Sequence, residues 1–319
     1  MKPQSSSIMT LVLLGVLFFS ISSAYAETAQ DYCKSADAYY QKGKLVYAIA
    51  DYTKAIEIDP NCAEAYNGRG LAHEGQRNFD YAMADYTKAI QINPNYAEAY
   101  SNRGLVYHSQ SNFPNATYDF TRAIEIKPDY AKAYYNRGLD YYTQGNSTQA
   151  ISDLSRAIEI DPNYAEAYTL RGDIYYKKNN YAPADSDFTK AIGINPNDAQ
   201  VYYKRGMTRA CLPGGGGYTD AVADLTKAIE NNPNYAEAYN WRGYFYFQLG
   251  EYNQAISDCS RAIAINPNYG EAYYNRAYDY YKMNDYNNAW RDLHKAEALG
   301  YQVGSFFPDR LKKASGRTN

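Results

Sequence analysis

The sequence predicts an all-α protein made of stacked copies of one two-helix unit. Three series of residues carry that prediction. Pro60, Pro94, Pro128, Pro162 and Pro196 recur every 34 residues, Pro233 follows after 37, and Pro267 after 34 again. Asp51, Asp85, Asp119, Asp153, Asp187, Asp224, Asp258 and Asp292 keep the same beat. So do Ala55, Ala89, Ala123, Ala157, Ala191, Ala228, Ala262 and Ala296. Self-similarity at a fixed period of this length marks a repeat architecture. Eight in-phase copies span about residues 29 to 302.

Each copy reads as two helices. In residues 131–164, Tyr134, Gly138 and Tyr141 fall at i, i+4 and i+7, one face of a first helix. Gly145-Asn146-Ser147 breaks it, and Ala150, Leu154, Ala157 and Ile158 mark a face of the second, which Pro162 follows. Gly138, Ala150 and Ala157 are small where two helix axes must approach. One pair cannot bury its apolar face alone, so the units must stack.

This pattern resembles the tetratricopeptide repeat in its period, its small residues and its closing proline. The resemblance implies a right-handed α-solenoid of eight helix-turn-helix units. It also implies that the first helices line the concave side, where such proteins bind segments of other proteins. The eighth unit ends Leu299-Gly300-Tyr301 instead of Asn-Pro-Asn. Beyond it, residues 303–319 read as a capping helix and tail, with Phe307 and Leu311 at i, i+4 covering the last exposed face.

Residues 1–26 stand apart from the repeats. Lys2 precedes an apolar run from Ile8 to Ile21, and Ala24-Tyr25-Ala26 is a small-x-small site. This reads as a secretory signal peptide, with the mature chain starting at Glu27. The run is shorter than the roughly 20 residues of a spanning helix, and no Cys stands at the cleavage point for a lipid. The expectation is a periplasmic or secreted protein, not membrane-embedded after cleavage. The net charge of -3, with both signs mixed along the chain, gives no basic patch for nucleic acid.

Seven units carry Arg before the small residue of the first helix: Arg69, Arg103, Arg137, Arg171, Arg205, Arg242 and Arg276. The first unit has Ser35. Sharing a register with the aspartates, these arginines predict a structural ion ladder. Because the unit that has no predecessor also has no Arg, each Arg is expected to pair with the Asp of the preceding unit.

Catalytic chemistry finds no support. Three histidines are scattered, and His73 sits in a register that six other units fill with Tyr. Pro213 and Gly214 to Gly217 lack the Gly-Lys-Ser/Thr of a phosphate loop and read as a loosened turn. No metal set, cofactor or enzymatic activity is expected. Of four cysteines, Cys259 reads as core and Cys211 has no evident mate. Cys33 and Cys62 start neighbouring first helices, and a disulfide closing about 30 residues there would stabilise that end by roughly 3 to 4 kcal/mol.

Tyrosine is the compositional outlier, 39 against 10 Phe and 2 Trp. A second stripe on the first helices, apart from the core stripe, collects many of them. It holds Tyr135, Leu139 and Tyr142 in the fourth unit, Tyr203 and Met207 in the sixth, Asn240, Tyr244 and Phe247 in the seventh, and Tyr274, Tyr278 and Tyr281 in the eighth. The early units are more polar there, with Asn67, Leu71 and Glu74, then Ser101, Leu105 and His108. By the resemblance this stripe faces the concave surface, and an exposed aromatic stripe marks a contact site. Asn102, Asn136 and Asn275 match the asparagine ladder with which some tetratricopeptide proteins hold a peptide backbone. The expected function is an exported scaffold that binds a protein or peptide segment in a Tyr-rich groove. The alternative is a carbohydrate-handling module, such as an accessory to polysaccharide export. Homo-oligomerisation is left open.

Overall fold

The computed structural model describes residues 27–213 and 217–316; the expected export segment, residues 1–26, lies outside the described residues. Among the described residues there are seventeen helices and no strand. They are α1 (Ala29–Gln41), α2 (Leu45–Ile58), α3 (Ala63–Gly75), α4 (Phe79–Ile92), α5 (Ala97–Ser109), α6 (Phe113–Ile126), α7 (Ala131–Thr143), α8 (Ser147–Ile160), α9 (Ala165–Lys177), α10 (Tyr181–Ile194), α11 (Ala199–Ala210), α12 (Gly217–Asn231), α13 (Ala236–Gln248), α14 (Tyr252–Ile265), α15 (Gly270–Lys282), α16 (Tyr286–Ala298) and α17 (Phe306–Ser315). Odd numbers up to α15 are the first helices of the units, and even numbers are the second.

Two local devices set these boundaries. Between units, the residue before proline is extended, because the proline ring disfavours a helical predecessor. Its Asp or Asn side chain then accepts the amide two residues on, as in Asn61 N–H to Asp59 Oδ1 at 2.9 Å and Asn163 N–H to Asp161 Oδ1 at 2.9 Å. Within units, the first helix closes on a left-handed residue. Gly43, Gly145 and Gly250 take that place, and so, at φ near +60°, do Arg77, Ser111, Asn179 and Asn284. The amide after it reaches back five residues, as from Lys44 to the carbonyl of Tyr39, which satisfies the frayed carbonyls of the helix end.

The chain divides into two compact bodies, one ending at Gln144 and the other starting at Gly145. In each, a first helix packs on its own second helix and on the second helix before it. The cores are alanine-rich: Ala36, Ala48, Ala55, Ala89, Ala123, Ala157, Ala228 and Ala262 are fully buried. Aromatic rings fill the remaining space by lying against glycine. A Cβ added to Gly104 would stand 2.7 Å from the ring of Phe120, and one on Gly172 would stand 2.8 Å from that of Phe188. In the C-terminal body, α17 buries Phe307 and Leu311 against Trp290 and Leu293, the capping role expected of it. Trp290 Nε1 also donates to Ser315 Oγ at 3.2 Å.

In six units the ion ladder forms inside the unit, which corrects the expected pairing with the preceding one. Arg69 Nε and Nη2 donate to Asp85 Oδ2 and Oδ1 at 2.9 and 2.7 Å. The same two-pronged contact joins Arg103 to Asp119, Arg171 to Asp187, Arg205 to Asp224, Arg242 to Asp258 and Arg276 to Asp292. What crosses to the preceding unit is the third nitrogen. Nη1 of Arg69, Arg103 and Arg137 donates to Thr53, Thr87 and Thr121, at 3.2, 3.3 and 3.0 Å. Arg171, Arg205, Arg242 and Arg276 reach Ser155, Thr189, Thr226 and Ser260 in the same way. In the first unit Ser35 Oγ donates to Asp51 at 2.7 Å, and Lys54 Nζ stands 3.7 Å from the same carboxylate. Each guanidinium also lies over the Tyr three residues earlier, as Arg69 over Tyr66 at 5.5 Å and Arg276 over Tyr273 at 5.6 Å.

Two measurements test this packing. Gly104→Ala is expected to lower stability by about 1 to 3 kcal/mol, because the buried Phe120 ring has nowhere to move. Gly193→Ala, where an added Cβ meets nothing within 4 Å, should gain about 0.5 to 1 kcal/mol from helix propensity. Urea midpoints that move the same way would contradict the contact. In the ladder, Arg103→Leu leaves the 1 % exposed Asp119 without its cation, at a cost of about 3 kcal/mol at pH 7. Burial raises the Asp119 carboxyl and Arg103 opposes it. Without Arg103 the folded state therefore holds a proton to higher pH, and the deficit should shrink as pH falls toward 4. A deficit independent of pH would exclude a buried carboxylate.

Candidate ligand groove

The first helices of neighbouring units lie side by side, and their second stripe runs across them. In the N-terminal body Tyr135, Leu139 and Tyr142 are half-buried, while Asn102 and Asn136 are buried. The asparagines do not stand ready for a peptide backbone. Asn102 Nδ2 donates to Asn67 Oδ1 at 3.0 Å and Asn136 Nδ2 to Ser101 Oγ at 3.2 Å. In the C-terminal body Asn275 Nδ2 donates to Asn240 Oδ1 at 3.0 Å. Each joins its helix to the first helix before it. The partner lies 35 residues back, a polar residue of the same stripe, and that period is the signal that could have shown the joint in the sequence.

The tyrosine stripe also divides. Tyr203 is half-buried beside Tyr235, ring centroids 5.2 Å apart, and Met207 packs on the cluster that holds Phe245. Tyr274, Tyr278 and Tyr281 were expected to stay open, but they surround Phe307, at 5.7, 4.6 and 5.7 Å. The last first helix has no further unit to stack on, so α17 supplies the covering ring. What stays open lies beside this cluster, between α13 and α15. There Tyr244, Phe247, Tyr274, Tyr278 and Phe306 wall a cavity of about 310 Å³, with Gln248, Asn275 and Asp279 as its polar lining. Tyr278 meets Phe247 edge to face at 5.3 Å. A cavity of similar size in the N-terminal body, about 300 Å³, has fewer aromatic walls: Glu74, Asn102 and Lys132 line it with Tyr40, Leu71 and Leu105.

Asp279 is the residue that sequence reasoning missed. It faces inward at a register where other units carry Ala72, Val106, Ile174, Thr208 and Phe245. It is 1 % exposed, and burial pushes its carboxyl up to about 8. The fourth unit places Asp140 at the same register. That carboxylate accepts from His108 Nδ1 at 2.7 Å, Thr117 Oγ1 at 2.6 Å and Gln144 Nε2 at 2.9 Å. A polar residue at a core register was the available signal.

The remaining expectations fall into place locally. His73 is half-buried, stacks on Tyr81 at 5.2 Å, and burial lowers its affinity for a proton. Cys259 is fully buried and Cys211 exposed. The disulfide expected between Cys33 and Cys62 is not formed in this structure. Both are free thiols: Cys33 is pushed up to about 12 by burial and by its neighbour Cys62, whose own Sγ turns to Glu64 Oε2 at 3.7 Å. Among the described residues no group of three or more His, Cys, Asp or Glu is placed to hold a metal ion, and no helix is long and apolar enough to cross a membrane.

Comparison with known proteins gives a consistent placement. Family profiles described as TPR repeat match residues 36–76, 78–111, 104–145, 138–179 and 215–250, and others described as tetratricopeptide repeat match 165–198 and 236–269. No curated protein gives a significant match. Among solved structures, PilF of Pseudomonas aeruginosa superposes with a TM-score of 0.61 at 18 % identity, over 68 % of this chain and 97 % of its own. The C-terminal part of a TPR repeat-containing protein from Cytophaga hutchinsonii gives 0.60 at 20 %, over 75 % and 97 %. A tetratricopeptide repeat protein from Parabacteroides merdae gives 0.53 at 20 %, over 79 % and 98 %. At these identities the likeness concerns the fold. With profiles covering more than half of its length and the helix-pair architecture to match, the chain belongs to the tetratricopeptide repeat family.

Proposed function

We propose that this protein is an exported scaffold that holds a segment of a partner protein against the first helices of its C-terminal body, without catalysis of its own. The observation that carries this reading is the aromatic-walled cavity between α13 and α15. Apolar concavities with a few convergent polar groups are where ligands bind, and aromatic anchors concentrate interface energy. Membership of a scaffold family whose members bind proteins and peptides supports it. The apolar run and small-x-small site before Glu27 support export.

The scaffold reading is tested by a photo-reactive residue at Gln248, which lines the cavity. It should cross-link one protein in cells, and Tyr244→Ser with Phe247→Ser should abolish the adduct while leaving helical content intact. Glu159, exposed on the second helix α8, serves as the control site. The same adduct from Glu159, or an adduct indifferent to the double substitution, would refute a site at α13 and α15. Export is tested separately: the mature protein recovered from cells should begin at Glu27, and a mature chain that retains Met1 would exclude cleavage.

A further inference from the structure

The cavity between α13 and α15 contains an acid that the fold does not require. Five of the six other described units with an inward residue at this register use Ala, Val, Ile, Thr or Phe, all buried. Stacking therefore asks only for a side chain that fits. The one comparable carboxylate, Asp140, is held by an imidazole, a hydroxyl and an amide of its own body. Asp279 has no such set. Its hydrogen-bond donor among the described residues is the Cys259 thiol, at 3.8 Å, a weak donor at long range. The Arg276 charge favours the ionised form of Asp279, but the guanidinium's nitrogens bond elsewhere: Nε and Nη2 hold Asp292 and Nη1 holds Ser260. A carboxylate 1 % exposed, with no cation bonded to it, is costly to keep in a folded protein. This one lines the wall of an open cavity.

The rest of that wall suits the missing charge. Tyr244, Phe247, Tyr274, Tyr278 and Phe306 present ring surfaces around it, and the negative face of an aromatic ring attracts a cation. The wall already does so at its edge, where Lys282 Nζ stands 5.9 Å from the centroid of Phe247. Asn275 uses Nδ2 on Asn240 and also lines the cavity, so its carbonyl oxygen is the group it can offer a donor. A long aliphatic stem ending in an ammonium matches each part of this lining: stem on rings, head on carboxylate and carbonyl.

We propose that the cavity is a lysine pocket, in which the side chain of a lysine on the bound partner segment lies between the rings of α13 and α15 and brings its ammonium to Asp279. This rests on the scaffold reading above and specifies what the partner must present. A bound ammonium supplies the directly bonded counter-charge that Asp279 lacks, and so favours the ionised carboxyl that burial disfavours. It is the opposite polarity to a site that captures an acidic segment.

Ligand-observed NMR titration of the mature chain tests the pocket with three probes: Nα-acetyl-lysine N-methylamide, its norleucine counterpart, and n-butylammonium. The lysine derivative should bind at least about tenfold tighter than the norleucine one, the range expected of a desolvated cation on aromatic faces with a paired carboxylate. Asp279→Asn should remove that preference and leave the norleucine affinity unchanged. Tyr244→Leu keeps the acid and should weaken the lysine derivative, so the proposal stays testable if Asp279→Asn fails to fold. Equal binding of the lysine and norleucine derivatives would overturn the lysine pocket while sparing the scaffold reading. No saturable binding of either would count against both. Butylammonium binding as tightly as the lysine derivative would assign the pocket to small amines and overturn the partner segment as its source.

Discussion

The arginine of the first helix is the contact through which the repeat propagates. Its flat guanidinium offers donors in a fixed fork, and a carboxylate matches two of them at once. That pair fixes how the two helices of a unit meet, as at Arg242 and Asp258. The third nitrogen then reaches the hydroxyl of the preceding second helix, as at Thr226. One side chain thus ties three helices. The carboxylates are nearly buried and the arginines less so, 1 to 8 % against 12 to 21 % exposed for the side chains of the paired residues. A buried pair of this kind is a weak source of net stability, but it is costly to break from one side. Its value lies in geometry: a helix that slides within its unit loses the two bonds of the fork, and a unit that shifts along its neighbour loses the third. The apolar burial of the alanine-rich core supplies the drive to stack, the forks fix the pairing of helices within a unit, and the third nitrogen fixes the register against the preceding unit.

Stacking has ends, and the two ends are handled differently. At the start, Ser35 stands in the place of arginine, and its short side chain donates to Asp51 directly. At the finish, the aromatic stripe of α15 would face solvent. Phe307 of α17 inserts among Tyr274, Tyr278 and Tyr281, which are left half-buried. The cap therefore also shapes the aromatic cavity between α13 and α15, since Phe306, next to the buried Phe307, is 63 % exposed and forms part of its wall. The same step that closes the stack leaves an accessible aromatic surface beside a carboxylate. Binding surface and end cap are built from neighbouring residues of one short helix.

The sequence by itself determined the helix-pair unit, its number and its boundaries. Those follow from local chemistry that repeats in the chain: proline after an Asp or Asn, a left-handed turn residue, alanine and glycine where helices touch. It also showed that arginine and aspartate belong to one system. Which Asp each Arg meets was decided only in three dimensions. In a 34-residue period, the Asp 16 residues after an Arg and the one 18 before it, as for Arg69 with Asp85 and Asp51, are equally regular, so spacing alone cannot choose between them. The helix crossing in each pair does. The asparagines and tyrosines of the second stripe carried a similar ambiguity, because a half-buried polar or aromatic side chain serves a neighbour or a ligand with the same chemistry. Only the packing showed that Asn102 and Asn136 bond within the fold, and that Tyr274, Tyr278 and Tyr281 hold Phe307. That Asp279 has only a thiol donor is likewise a fact of three dimensions, since it depends on where Arg276 points. Periodicity fixes what recurs in every unit, and tertiary contact decides what each single unit does with it.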